Sequence, residues 1–125
     1  MDNITNVDLT QSLSEDVARR FGVQLRLSAL GTAPGYVVLN LIRVEPAERG
    51  EGRAESAMRE LCEAADKHGW TLATSPVSDF GASKARLKRF YTRHGFKSNT
   101  PRRDFSVMES MIRPPRREVE SENEK

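Results

Sequence analysis

The fold is decided by residues 36–74, which read YVVLNLIRVEPAERGEGRAESAMRELCEAADKHGWTLAT. Residues 36–44 are mostly apolar on both faces, interrupted by Asn40, which is typical of a central strand covered by helices. Apolar side chains at offsets of 0, 3, 4, 7, 8 and 11 then predict a helix that ends at His68 and Gly69; they are Ala54, Ala57, Met58, Leu61, Cys62 and Ala65. Because residues 70–77 read as another short strand, we expect a βαβ unit with parallel strands.

The segments on either side of this unit complete the predicted fold. Residues 8–21 carry apolar side chains at every fourth position and predict a helix, and residues 23–29 alternate as a half-buried strand does. Turn residues at 31–35 then predict an antiparallel hairpin with the central strand. A helix over residues 82–94 and a strand over residues 105–112 follow. The expected order is αββαβαβ, an α/β (α+β) class with a mixed sheet.

Length and composition indicate one polar, globular domain. The chain has 125 residues, of which 30% are charged and 37% apolar, and we assign residues 1–113 to a single domain. Residues 114–125 are charged, lack aromatic side chains and are expected to be disordered. The single cysteine, Cys62, excludes an internal disulfide, and no metal-ligand spacing is present. Without a long apolar stretch or a secretory signal pattern, the expected location is cytoplasmic, away from membranes.

The first candidate site is the loop between the central strand and its helix. It reads Arg49, Gly50, Glu51, Gly52, Arg53 and Ala54. Glycines let a ligand approach the backbone, and the N-terminus of the following helix suits a phosphate or pyrophosphate. The two arginines add positive charge, whereas Glu51 is unfavourable unless its side chain faces solvent. A plain strand-to-helix turn is the alternative interpretation, and the loop is neither a Walker loop nor a dinucleotide fingerprint.

The second candidate is the end of the predicted third helix, which reads FYTRHGF at residues 90–96. Phe90 and Phe96 are interpreted as core residues, while the Tyr91 hydroxyl needs a partner if it is buried. Cys62 and Trp70 are likewise predicted to be core residues, and His94 a helix-end residue. Eight basic residues and no acidic one lie between residues 82 and 103, so the rest of a chain of net charge +2 carries −6.

Together, these two candidates resemble the GNAT-type N-acetyltransferase superfamily. The family's acetyl-coenzyme A motif is matched by Arg49, Gly52 and Ala54, and its later Phe-Tyr-x-x-x-Gly-Phe motif by Phe90, Tyr91, Gly95 and Phe96. The resemblance covers residues 34–113, and the order of elements agrees. Residues 81–87 and 109–115 show a looser resemblance to small acetyltransferases carried by phages and other mobile elements.

The resemblance implies a compact GNAT-like fold with a reduced N-terminal part, and acetyl-coenzyme A (acetyl-CoA) as cosubstrate without a metal. The central-strand backbone at Ile42 and Val44 is implied to pair with the pantetheine arm, and the amides of residues 49–54 to hold the pyrophosphate. An amine then attacks the thioester directly, and Tyr91 protonates the departing thiolate. Ser83 and Lys84 are placed to contact a coenzyme phosphate; Lys84 stands where the family often has asparagine.

Several alternatives stay open from the residues. The general base is Glu45, Asp79, Ser75 or a water, and the acceptor amine is a small molecule or a protein lysine or N-terminus. A homodimer is common among such enzymes, but no residue pattern indicates one. A basic nucleic-acid-binding module is the competing function, based on the basic residues of 84–103. A third reading is a catalytically silent domain that binds acyl-coenzyme A and a partner protein.

Overall fold

The chain forms a mixed five-stranded sheet with three helices in a computed structural model, which describes residues 6–30, 35–45, 47, 50–76, 83–101 and 107–116. The elements in chain order are α1 (Asn6–Phe21), β1 (Gln24–Ala29), β2 (Tyr36–Arg43), α2 (Arg53–His68), β3 (Thr71–Thr74), α3 (Lys84–Arg93), β4 (Lys97–Ser98) and β5 (Met111–Arg113). The sheet order is β1-β2-β3-β5-β4, with β2 and β3 parallel and the other neighbours antiparallel. The predicted α+β class, mixed sheet and βαβ unit are confirmed.

Local capping chemistry sets the ends of the helices. Gly69 ends α2 in the left-handed conformation (φ 74°), and its N–H hydrogen-bonds to the carbonyls of Ala65 and Asp66. Ser83 caps α3 because its hydroxyl accepts a hydrogen bond from the Arg86 N–H at 3.1 Å. The predicted helices are therefore present with small shifts. The first begins two residues earlier than predicted, and the third is shorter at both ends, with Ala82 outside the described residues.

All three helices contribute to one core on one face of the sheet. Its largest fully buried side chains are Trp70, Met58, Leu61, Leu72, Val17 and Val37. The predicted core residues Cys62 and Phe96 belong to the same cluster. The opposite face carries a smaller cluster of Val38, Ala73, Val107 and Ile112. The predicted helical cover on both faces of β2 is therefore wrong for the described residues, since Leu30, Tyr36 and Val107 rather than a helix pack on its second face.

A β-bulge at Asn40 changes which side chains of β2 share a face. The register with β1 moves from Leu27↔Leu39 to Arg26↔Leu41, so Asn40 is an extra residue on β2. Strict alternation predicts Leu41 on the face of Val37 and Leu39, but after the bulge Ile42 and Val44 join the helix-side core instead. An inserted residue inverts the alternation beyond it, which is why the predicted face assignment of the second half of β2 is wrong.

The strands after α2 are shorter than the sequence predicts. β3 ends at Thr74 rather than at Val77, which lies outside the described residues. The predicted strand over residues 105–112 begins only at Met111 among the described residues. The Asn99 N–H and side-chain amide hydrogen-bond to the carbonyls of Ser110 (2.6 Å) and Glu109 (3.1 Å), so they hold the segment before β5 beside the end of β4. β4 was not predicted, since two polar residues are too few to show a period.

A buried ion pair joins β5 to α2. The Arg113 side chain is 3% exposed, and its Nη1 and Nη2 donate to the Asp66 carboxylate at 2.9 and 3.2 Å. Its Nε donates to the His94 carbonyl at 2.8 Å, and the Arg116 N–H donates to Asp66 Oδ1 at 2.8 Å. Burial alone would raise the pKa of Asp66. The hydrogen bonds from Arg113 and Arg116 lower it by more, so the pKa of Asp66 lies below its ordinary value. The carboxylate therefore stays charged and balances the buried guanidinium.

The chain ends bear on two further expectations. The predicted disordered tail is described only at residues 114–116, so that prediction lies mostly outside the described residues. None of the helices described is both long and apolar enough to pass through a bilayer.

Candidate functional site

The buried Thr74 side chain places the Tyr91 hydroxyl beside two strands. Thr74, the last residue of β3, is 3% exposed, and its hydroxyl donates to the Leu39 carbonyl of β2 at 2.9 Å. The Tyr91 hydroxyl lies close enough to the same Thr74 side chain for that side chain to lower the pKa of the phenol. Thr74 is therefore the polar neighbour that we expected for the hydroxyl of a buried Tyr91.

Packing holds the ring of Tyr91 in place. The residue is 5% exposed and lies in the helix-side core, with its ring centroid 5.5 Å from that of Phe90 and 5.3 Å from that of Phe96. Burial raises the pKa of the Tyr91 phenol above its ordinary value, and the hydrogen bond with Thr74 opposes that shift in part. The phenol therefore keeps its proton at neutral pH and is available as a proton donor.

The strands β2 and β3 pair over only part of their length, and this pairing ends near Tyr91 and Thr74. The parallel register covers Tyr36↔Thr71, Val37↔Leu72 and Val38↔Ala73, and β2 then continues to Arg43 beside β1. The bulge at Asn40 lies two residues beyond the last of these pairs, and β3 ends at Thr74. Among the described residues, Tyr91 and Thr74 thus lie where the pairing of the two strands ends.

The glycine loop leads from the same edge of the sheet into α2. Gly50 and Gly52 have φ values of 90° and 77°, a left-handed conformation in which other residues are strained. Gly52 is the N-cap of α2, and no side chain of a described residue caps this end of the helix. The N-terminal amides of α2 therefore differ from those of α3, which Ser83 caps, and their partial positive charge suits an anion. Adding Cβ atoms at Gly50 and Gly52 would meet no atom within 4 Å, so the loop faces open space.

The charged side chains of this loop pair with each other rather than pointing to a common centre. Glu51 is exposed, and its carboxylate accepts a hydrogen bond from Arg53 Nε at 3.1 Å. Arg53 Nη1 also donates to the Phe21 carbonyl at the end of α1, at 3.2 Å. The Arg53 side chain therefore connects α2 to α1. We expect a ligand to contact the backbone of Arg53 rather than its side chain. Arg49 lies outside the described residues, and Ala54 lies half-buried in the first turn of α2.

The remaining predicted site residues fall at several places in the fold. Ile42 and Val44 lie at the end of β2, with their side chains toward the core. Ser83 caps α3, and its hydroxyl is already engaged with Arg86; Lys84 is the exposed first residue of that helix. The glycine loop thus follows the carboxyl end of β2, and Tyr91 lies near Thr74 at the carboxyl end of β3.

The candidate general bases differ in their surroundings. Glu45 is exposed and accepts hydrogen bonds from Gln24 (3.2 Å) and Arg43 (3.3 Å). Ser75 is exposed and accepts a hydrogen bond from the Ser110 N–H at 3.1 Å. Asp79 lies outside the described residues. Ser75 directly follows Thr74 and is therefore the nearest of these in sequence to the point where the strands part.

Sequence reasoning missed two residues at this site. Thr74 is a buried polar residue at the end of β3, a position that demands a hydrogen-bond partner. Asn40 interrupts the apolar side chains of residues 37–42, at the place where the central strand bulges. Both signals are visible in the sequence, but neither indicates which neighbouring strand the residue meets.

Comparison with known proteins finds no match for this chain: no protein-family model, curated protein or solved structure is similar to it. The chain is thus described as an α+β protein with an open mixed sheet. What its site does is inferred from the geometry and chemistry of the residues themselves.

Proposed function

We propose that this protein is an acetyl-CoA-dependent N-acetyltransferase of the GNAT type, which transfers an acetyl group to an amine. The observation that carries the proposal is the position of the buried Tyr91 hydroxyl beside Thr74, whose own hydroxyl binds the Leu39 carbonyl, at the place where the pairing of β2 with β3 ends. A proton donor at this point, with an uncapped, glycine-led helix N-terminus at the same edge of the sheet, suits a thioester joined to a pyrophosphate.

In this proposal the coenzyme lies along the part of β2 that extends beyond its pairing with β3. The pantetheine arm, which carries amide groups, pairs with the β2 backbone around Ile42 and Val44, beyond the last residue pair with β3. The pyrophosphate sits against the amides of the loop and first turn, from Arg49 to Ala54. The positive φ of Gly50 and Gly52 and the open space beside them let phosphate oxygens approach this backbone.

The chemical step needs a proton donor and no covalent enzyme intermediate. The lone pair of a neutral amine attacks the carbonyl carbon of the thioester, and a backbone N–H of β2 stabilises the oxyanion that forms. The carbon–sulfur bond then breaks, the thiolate takes the proton of Tyr91, and the attacking nitrogen gives its extra proton to a base or to water. Tyr91 then regains a proton from solvent. A phenol of pKa about 10 is of comparable basicity to a thiolate. Burial of Tyr91 keeps the proton in place until the thiolate appears.

Calorimetry with acetyl-CoA tests the proposal directly. We expect saturable binding in the sub-millimolar range, competition by coenzyme A, and release of free thiol when a suitable amine is added. Absence of saturable binding would overturn the proposal. Binding without thiol release on panels of small amines, peptides and proteins would instead favour a catalytically silent domain that binds acyl-coenzyme A.

A matched pair of glycine variants tests the position of the pyrophosphate. Gly52 and Gly69 begin and end α2 with nearly equal φ values of 77° and 74°. We expect Gly52→Ala and Gly69→Ala each to destabilise the fold by about 1 kcal/mol in denaturant unfolding, because alanine is strained in this conformation. Only Gly52→Ala should weaken acetyl-CoA binding, by about tenfold, since its Cβ occupies the space offered to the phosphates. Equal affinities for the two variants would place the pyrophosphate elsewhere.

A second candidate function is nucleic-acid binding by the exposed face of α3. Lys84, Arg86, Lys88 and Arg89 are exposed, and their side chains form no ion pair with a described residue. The residues outside 82–103 carry a net charge of −6, which repels a long polyanion. This function therefore ranks second. A gel shift with unrelated DNA and RNA should show binding that weakens as salt rises and is lost in K88Q/R89Q. No shift at low salt would remove this candidate.

A further inference from the structure

A cavity of about 210 Å³ lies between α2, the end of α3 and the segment after β5. None of the residues proposed to bind acetyl-CoA or to act on it lines this space. Its charged lining consists of four arginines and two carboxylates: Arg59, Arg93, Arg113, Arg116, Glu63 and Asp66. Arginine is therefore in excess, even when Glu55, which pairs with Arg93 at 3.1 Å, is counted with the lining.

Gly95 lets two of these arginines come close together. A Cβ atom at this position would lie 3.1 Å from Arg116 Nη2 and 3.2 Å from Arg113 Nε. Both guanidinium groups therefore occupy space that a side chain would fill. Asp66 receives both Nη groups of Arg113 and the backbone N–H of Arg116, whereas the guanidinium of Arg116 forms no ion pair with a described residue. One carboxylate thus faces two neighbouring cations.

His94 lines the cavity and has a buried ring nitrogen that makes no hydrogen bond with a described residue. The His94 side chain is 9% exposed, and its Nε2 is buried without a hydrogen bond, although Glu55 Oε2 lies 3.1 Å away. Burial lowers the pKa of His94, with Arg93 and Arg59 acting in the same direction, while Glu55 opposes the shift. Burial is therefore the main cause of the lowered pKa of His94.

We propose that this cavity binds a phosphate group, held by Arg59, Arg93 and Arg116 against the Arg113–Asp66 pair. Guanidinium groups bind phosphate oxygens in bidentate fashion, and a phosphate supplies the negative charge that the cluster lacks. The cavity is smaller than the usual 300–1,000 Å³ of a pocket that encloses an organic ligand, so it fits the phosphate group itself. That group is either free inorganic phosphate or the phosphoryl end of a larger molecule that extends into solvent.

The two histidines of the chain allow this binding to be followed by NMR. His94 lines the cavity, whereas His68 is exposed and stacks on Trp70 with ring centroids 4.7 Å apart. Titration with inorganic phosphate at constant ionic strength should shift the His94 imidazole signals saturably and leave those of His68 nearly unchanged. Bound phosphate should also raise the pKa of His94, because a neighbouring anion stabilises the imidazolium. A parallel titration with O-phosphoserine distinguishes the sources: tighter binding than phosphate indicates an organic phosphate.

Arginine variants decide whether the cavity itself is the site. R116Q should weaken phosphate binding by about tenfold, since one charge-assisted contact is lost. R59Q, an exposed position on α2, serves the same purpose should R116Q fail to fold. The control is R26Q, an exposed arginine on β1 that is not part of the cavity, and its affinity should equal that of the wild type. Unsaturable shifts with both ligands, or equal losses in R26Q and R116Q, would overturn the proposal.

Discussion

Replacing Tyr91 with phenylalanine is expected to lower the turnover of acetyl transfer by about a hundredfold or more, with the affinity for acetyl-CoA unchanged. A positioned general acid contributes about 10²–10⁴-fold to a rate, and the change removes only the hydroxyl. The ring contacts with Phe90 and Phe96 stay in place, so the pocket keeps its shape. Thr74 keeps its hydrogen bond to Leu39, and the loss in folding stability should stay near 1 kcal/mol. Steady-state kinetics and calorimetry on one preparation measure both quantities.

The control for this change is the other tyrosine of the chain. Tyr36 lies at the opposite end of the β2–β3 ladder, where it pairs in register with Thr71. Tyr36→Phe removes the same hydroxyl at a distance from Thr74 and should leave turnover within about twofold of the wild type. Turnover unaffected by Tyr91→Phe would remove Tyr91 from the role of general acid. Equal losses in both variants would point to a general effect on the fold.

Replacing Asp66 with alanine is expected to be the most destabilising of the changes considered. It leaves the Arg113 guanidinium, 3% exposed, without its carboxylate inside the helix layer. Removing one partner of a buried ion pair costs about 3–5 kcal/mol, which corresponds to a fall in Tm of roughly 10 °C or more for a domain of this size. Thermal and denaturant unfolding at pH 7 measure the loss. Asp16→Ala, which breaks exposed pairs with Arg19 and Arg20, should cost less than about 1 kcal/mol.

The pH dependence follows from the lowered pKa of Asp66. A carboxyl whose folded pKa lies below its unfolded pKa contributes its full stability above the unfolded value and loses it as the pH falls through the folded value. The difference between the wild type and Asp66→Ala should therefore be constant near neutral pH and shrink in acid. Arg113→Met tests the reason for the cost, since it removes the buried charge and should be milder than Asp66→Ala. An Asp66→Ala protein as stable as Asp16→Ala would contradict the role assigned to this pair.

Local patterns predicted the elements better than their edges. The offsets of apolar residues in 53–68 and the glycine after His68 determine α2 whatever surrounds it, and the alternation before residue 30 likewise determines β1. The predicted start of the last strand was wrong, because β5 begins only at Met111. Asn99 binds the segment before it, a contact between residues distant in sequence that local patterns do not reveal.

The sequence by itself determined the order of the helices and strands other than β4, the parallel βαβ unit, and the glycine loop that precedes α2. These follow from short-range periods and turn chemistry, which act within a few residues. Only the tertiary structure decided that the bulge at Asn40, Thr74 and the Tyr91 hydroxyl meet at one point, and that four arginines surround one cavity. Both arrangements join residues from three separate segments, and their spacing is set by how the sheet and the helices pack rather than by any pattern along the chain.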